Sequence, residues 1–345
     1  MTDIRSVTRY GSRSYRPAWG AFLVVALVQA CYGAGFILRS SFVVEGRRYF
    51  CLFDDAMISM RYASNWANGQ GFVWNAGERV EGYTSFAWTA LMGFCHLLPL
   101  SPSGMCLLVQ LLGIPVLWSC SAATVLLARS CRLMPAVACS AVVLSGTYYN
   151  LLFFSLFGME TGLLTALVTW GQARAAHAVR RKEGSTWSVL WLGPALLVRP
   201  DVLPLAPPIV ACVLLTARRY RRRVLLGLLV AALPVVSHLL WRYEFYGQWL
   251  PNTYYLKATG WPIADRIGSG LIQAQWTAGC LGLAALFVAA AATRPKRWYV
   301  IPLSCFAVSI ATRFISVGTP GLWTASSSRP SRVYWCWPHR VFTGS

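Results

Sequence analysis

Carboxylates are what this chain has least of. Only 11 of its 345 residues are Asp or Glu, against 31 Lys and Arg, and charged residues of both signs make up 12%. A soluble globular domain is nearer a quarter charged, so an ordinary water-facing surface is excluded. Histidine is also scarce, at four residues, and the 11 cysteines show no CxxC pair. Neither a zinc site nor a disulfide framework is expected from such spacing. Cys31, Cys106, Cys120, Cys139, Cys212, Cys280 and Cys305 lie inside apolar runs, where cysteine acts as a small hydrophobe.

Apolar residues fill the space left by charge: 56% of the chain is hydrophobic and the mean hydropathy is +0.50. The composition is that of a polytopic all-α membrane protein. The net charge of +20 raises nucleic acid as a partner. However, the basic residues cluster between apolar runs, as in cytoplasmic loops and at anionic headgroups, so no nucleic-acid partner is expected and membrane lipids are.

Arg5, Arg9, Arg13 and Arg16 precede an apolar run at 17–38. That run is long for a signal-peptide core and lacks a small-residue cleavage site, so a retained first span is predicted. The arginines place residues 1–16 in the cytoplasm and residues 39–83 on the opposite side. The run at 86–100 is shorter than the roughly 20 residues of a span. Laid along the membrane face, it lets every later basic cluster fall inside. Further spans are then expected at 105–128, 135–157, 161–179, 187–198, 202–217, 224–241, 270–292 and 299–315, about nine in all with the first. The pair flanking Arg199-Pro200-Asp201 is short enough to form a hairpin that crosses only in part.

In this frame the scarce carboxylates gather. Glu45, Asp54, Asp55, Glu78 and Glu81 all fall in the first outer loop, 39–104. A helix is predicted from Asp54, as cap, to about Ala67, with Asn68-Gly69-Gln70-Gly71 ending it. Arg61, Ser64, Asn65 and Asn68 then share a helical face, with Asp54 nearer to it than Asp55. An ordinary capped surface helix fits the same pattern. Three further polar islands fall on the outer side: Gly158-Met159-Glu160-Thr161-Gly162, Arg199-Pro200-Asp201, and 246–257. Ionisable groups at span ends are usually paired or functional, although a solvated turn at 158–162 or a local ion pair at Arg199-Pro200-Asp201 fits equally. From Thr319 onward the chain is rich in Ser, Arg, Trp and Pro without periodicity, and a disordered tail is expected at 317–345.

The block Asp54-Asp55 … Arg61-Tyr62 … Gly69-Gln70-Gly71 … Gly77-Glu78-Arg79-Val80-Glu81-Gly82-Tyr83-Thr84-Ser85 resembles the first outer loop of bacterial GT-C superfamily glycosyltransferases. Within that superfamily the resemblance is to actinobacterial arabinofuranosyl- and mannosyltransferases. Gly158-Met159-Glu160-Thr161 resembles the family's Gly-Leu-Glu-Thr turn, and Arg199-Pro200-Asp201 its Arg-Pro-Glu/Asp element. Tyr246-Gly247 … Leu250-Pro251-Asn252-Thr253-Tyr254-Tyr255-Leu256-Lys257 resembles its Tyr-Gly-x-x-Leu-Pro-Asn-Thr loop. The resemblance spans residues 16–316. It implies a GT-C-like transmembrane domain over 17–316, in a bacterial plasma membrane, with an extracytoplasmic active site. The donor it implies is a sugar on a polyprenyl phosphate, and the acceptor a cell-envelope glycan, lipid or protein. The family continues beyond this length with more spans, so a truncated or frameshifted product is expected.

Such a donor carries its own leaving group, so the reaction needs a base for the acceptor hydroxyl and cations for the phosphate. Asp54 is the expected general base and Asp55 its partner or substitute. Arg199 and Lys257 are the expected phosphate contacts, with Arg61 and Arg79 in reserve. Glu81, Tyr83, Asn252 and Tyr254 are expected to bind sugar or acceptor, with Glu160 and Asp201 beside them, and the superfamily's outcome is inversion. The adjacent carboxylates suit a divalent cation, but metal-free chemistry without a cofactor is the first expectation. Two rival functions use the same features: a secondary transporter, and an assembly protein descended from a glycosyltransferase.

Overall fold

A computed structural model describes residues 14–183, 186–216, 218–252 and 255. The expected spans at 270–292 and 299–315, the tail, and the candidate residues Tyr254 and Lys257 lie outside the described residues.

The described residues are almost entirely helical. Helix α1 (Arg16–Ser40) leads into a hairpin of β1 (Phe42–Val44) and β2 (Arg47–Tyr49), followed by α2 (Asp54–Ala67) and α3 (Phe86–Cys95). Then come α4 (Pro102–Ser130), α5 (Pro135–Gly146), α6 (Tyr149–Leu156), α7 (Thr161–Arg181), α8 (Leu192–Val198), α9 (Ala206–Thr216) and α10 (Arg221–Tyr246). Helix α4 is central and packs on α1, α5, α6 and α7; α10 packs on α8, and α2 on α3. Apolar side chains cover α1 on faces that no other helix touches, with Leu23 and Leu27 about two-thirds exposed. That is the expected surface of a lipid-facing helix.

Three helices are long and apolar enough to cross a membrane: Arg16–Ser40, Pro102–Ser130 and Arg218–Tyr246. The expected single span at 135–157 is instead two helices meeting at 46°. The break has a cause. Gln29 of α1 donates from Nε2 to the Gly146 carbonyl at 2.9 Å, which takes that carbonyl out of the helical ladder, and Tyr148 then adopts an extended conformation. Helix α7 is not among the spans, because Arg174, His177, Arg180 and Arg181 interrupt its apolar character. Helices α8 and α9 are 7 and 11 residues long. At 1.5 Å per residue they reach about 10 and 16 Å, well short of the roughly 30 Å hydrocarbon core. Helix α3, at 10 residues, is likewise too short to cross, as its sequence predicts. Among the described residues the count is therefore three spans, or four if the bent pair is taken as one.

The hairpin was not foreseen. Its signal is the Glu45-Gly46 pair between two short β-forming runs. Both residues have positive φ, +50° and +75°, as a two-residue hairpin turn requires.

Candidate active site

The four motif blocks come together at one set of helix ends: the N-termini of α2 and α7, and the C-termini of α6, α8 and α10. Asp54 and Asp55 occupy the first turn of α2, and both are exposed. The N-cap is Phe53, not Asp54, because the Phe53 N–H is taken by the Phe157 carbonyl at 3.1 Å. Asp54 Oδ1 accepts instead from the Asp55 N–H at 2.9 Å. Among the described residues neither carboxylate is held in an ion pair.

This end of α2 is seated on the Gly158 turn. Leu52 and Ala56 share a cluster with Trp88, Met92 and Val109, against which Met159 and Leu163 pack. Trp88 Nε1 donates to the Gly158 carbonyl at 2.8 Å. Gly158 has φ +82°, and a Cβ there would stand 2.9 Å from Leu52 Cδ2, so both its conformation and its surroundings call for glycine.

Two residues beyond, buried Glu160 meets the Arg-Pro-Asp element. Arg199 Nη1 reaches Glu160 Oε1 at 2.8 Å, while its Nη2 lies 3.0 Å from Asp201 Oδ2. Its Nε donates to Asp201 at 3.1 Å. The arginine expected to contact phosphate is thus held by two carboxylates, one buried and one exposed. The local ion pair foreseen at Arg199-Pro200-Asp201 is present, and Glu160 extends it into a bridge between two motifs.

The remainder of the first loop folds against α10. Asn65 is buried rather than part of an open polar face, and its Nδ2 donates to the Val73 and Trp74 carbonyls at 2.8 and 2.9 Å. Arg61 also donates to Trp74, at 3.3 Å. Tyr62 donates to Val80 and accepts from the Gly82 N–H, both at 2.8 Å. Arg79 lies over the Phe245 ring, 4.9 Å from its centroid. Asn252 N–H donates to the Glu81 carbonyl at 3.2 Å, which joins the Leu-Pro-Asn element to the first loop.

Glu81 and Tyr83, expected to face sugar or acceptor, are instead buried. Tyr83 shares a 3.2 Å hydroxyl contact with Tyr246, and Tyr246 donates to the Phe72 carbonyl at 2.6 Å. Glu81 Oε2 lies 3.0 Å from Arg242 Nε, and among the described residues Oε1 has no hydrogen-bond partner. The two side chains form a buried ion pair. Burial outweighs that attraction and pushes the Glu81 carboxyl up to about 7. Arg242 was missed in the sequence, although an arginine at the very end of an apolar run is the kind of residue that signals a partner.

Among the described residues no three His, Cys, Asp or Glu side chains gather where they could hold a metal ion. No protein-family model and no solved structure matches the chain. Two curated proteins do. The first is a terminal β-(1→2)-arabinofuranosyltransferase of Mycobacterium tuberculosis, 29% identical over 64% of this chain and 36% of its own. The second, of the same description, is from Corynebacterium glutamicum and is 30% identical over 70% of this chain and 38% of its own. The chain is a homologue of these transferases. It spans little more than a third of their length. The GT-C resemblance read from the four motif blocks points to this same group of actinobacterial enzymes.

Proposed function

We propose that the chain acts as a membrane glycosyltransferase that moves a sugar from a polyprenyl-phosphate carrier to a cell-envelope hydroxyl on the extracytoplasmic face. The observation that carries this reading is the exposed Asp54-Asp55 pair, fixed at the N-terminus of α2 and seated on the Gly158 turn. The activity named for the two relatives makes an arabinofuranosyl donor the first to test. Arg5, Arg9 and Arg13 before α1 and Arg16 at its start support a cytoplasmic N-terminus, and with it aspartates on the outer side.

In the reaction, the acceptor oxygen attacks the anomeric carbon while the bond from that carbon to the phosphate oxygen breaks. The polyprenyl phosphate leaves with the electron pair, and the configuration inverts. Asp54 takes the acceptor's proton, and Asp55 keeps the local field negative and orients its neighbour. Arg199 turns its exposed Asp201 side toward the phosphate while Glu160 fixes its other edge. Glu81, Tyr83 and Arg242 act one layer back, holding the loop that walls the site.

The test is transfer of radiolabelled arabinofuranose from a polyprenyl-phosphate donor in membranes carrying the chain. Loss of a general base predicts a fall of about 10²–10⁴-fold for Asp54→Asn, and a smaller fall for Asp55→Asn. Transfer unchanged in Asp54→Asn would remove it as the base. A well-expressed wild-type chain without transfer would favour the assembly-protein reading, and substrate accumulation surviving Asp54→Asn would favour a transporter.

A further inference from the structure

The β1–β2 hairpin stands directly on the C-terminal end of α1. Its register pairs Phe42 with Tyr49, Val43 with Arg48 and Val44 with Arg47, and all six side chains are exposed. Phe42 and Tyr49 stack with centroids 5.9 Å apart, so the exposed apolar surface is ordered. Strands of three residues are marginal in water, and such a surface in a soluble protein would invite aggregation.

The position of the hairpin says what covers it. Helix α1 has 25 residues, about 37 Å of helix against a hydrocarbon core of roughly 30 Å. Its C-terminal end therefore reaches the headgroup layer. The exposed face of α1 runs through Leu27, Val28 and Leu38 and continues into Phe42, Val43 and Val44 without a polar break wider than Arg39-Ser40-Ser41. Arg48 Nη1 donates to the Leu38 carbonyl at 3.1 Å and to Ser41 Oγ, which ties the hairpin to the helix end. Arg39 and Arg47 are exposed, and among the described residues neither has a carboxylate within ion-pair distance. Glu45, at the turn tip, is the hairpin's one carboxylate. Aromatic side chains beside unpaired arginines at the end of a span match the chemistry of an anionic lipid surface.

We infer that the hairpin is a lipid-surface element: its apolar side chains enter the headgroup layer where α1 exits, and Arg39 and Arg47 bind the phosphates of anionic glycerophospholipids. This does not rest on the transferase reading. It is tested with p-benzoylphenylalanine in place of Phe42, in the full chain reconstituted into nanodiscs of phosphatidylglycerol and phosphatidylcholine. The same probe at Leu27 reports plain acyl-chain contact. At Phe42, light should cross-link both lipids, with phosphatidylglycerol enriched about fivefold per free arginine. Arg39→Gln with Arg47→Gln should abolish the enrichment and leave cross-linking to phosphatidylcholine. Cross-links at Phe42 to protein alone, or to no lipid while Leu27 labels normally, would overturn the inference. So would an enrichment that survives the double substitution. Displacement of phosphatidylglycerol by an equal amount of polyprenyl phosphate would assign the arginines to the carrier lipid instead.

Discussion

Arg242→Met isolates the ion pair that fastens the first loop to α10. Glu81 is 3% and Arg242 4% exposed, with charged atoms 3.0 Å apart. Removing one partner of a buried pair typically costs about 3–5 kcal/mol, because the other charge is left uncompensated. Glu81 can escape part of this cost by taking a proton, and its carboxyl already sits near 7 rather than 4.5. The expected penalty is therefore about 3 kcal/mol at pH 8 and distinctly less at pH 5. Glu81→Gln combined with Arg242→Met leaves no buried charge and should recover most of the loss. The wild type has its own pH dependence, with a definite sign. A carboxyl raised in the folded state keeps its proton where the unfolded chain has released it. The contribution of Glu81 to stability is then greatest below about pH 4.5 and falls toward pH 7 by up to about 3 kcal/mol; Glu81→Gln should remove that component of the slope. Denaturant titration in detergent measures the stabilities, and proteolysis within residues 71–85 reports release of the loop. Equal stability of wild type, single and double variants at pH 8 would refute the reasoning.

Other substitutions test the remaining joints. Gly158→Ala meets both a left-handed φ and the Leu52 side chain; it should lower stability by about 1–3 kcal/mol with helix content unchanged, read by circular dichroism on heating. Glu160→Gln should destabilise by about 2 kcal/mol, since it weakens a buried contact to Arg199. Asp201→Asn, at the exposed side, should stay within about 0.5 kcal/mol, and a thermal-shift comparison in the same detergent separates the two. Asn65→Ala leaves the Val73 carbonyl without its donor and Trp74 with only Arg61; it should cost about 1–3 kcal/mol, with faster amide exchange at residues 73–75.

Local pattern was enough to find α1, α4 and α10, because each is a long apolar run, bounded by arginines in α1 and α10 and by Ser101-Pro102-Ser103-Gly104 and Arg129 in α4. It was also enough to find α2, whose start is marked by the aspartates and whose end by Asn68-Gly69. What the pattern missed depended on partners distant in sequence. The break between α5 and α6 needs Gln29, 117 residues away. The Phe53 cap needs the Phe157 carbonyl. The burial of Glu81 and Tyr83 needs α10. Sequence spacing saw those two as polar residues in an outer loop, and only the fold turned them inward. The motif blocks themselves were legible as chemistry-bearing stretches, but which of them touch was not. Arg199 was read as a phosphate contact or as half of a local pair with Asp201, and the buried Glu160 that shares its fork was not foreseen.

The separation of those partners also orders the assembly of the chain in time. The seat under Asp54 depends on Trp88 reaching Gly158, 70 residues later, and the loop beside it depends on Tyr246 reaching Phe72 across 174 residues. At roughly 5–20 residues per second, a ribosome needs about 10–35 s to make that second stretch. Throughout this interval the aspartate helix exists while the helix that closes its loop has not been made. The first loop must therefore wait, half-built, at the membrane surface until α10 arrives to fasten it.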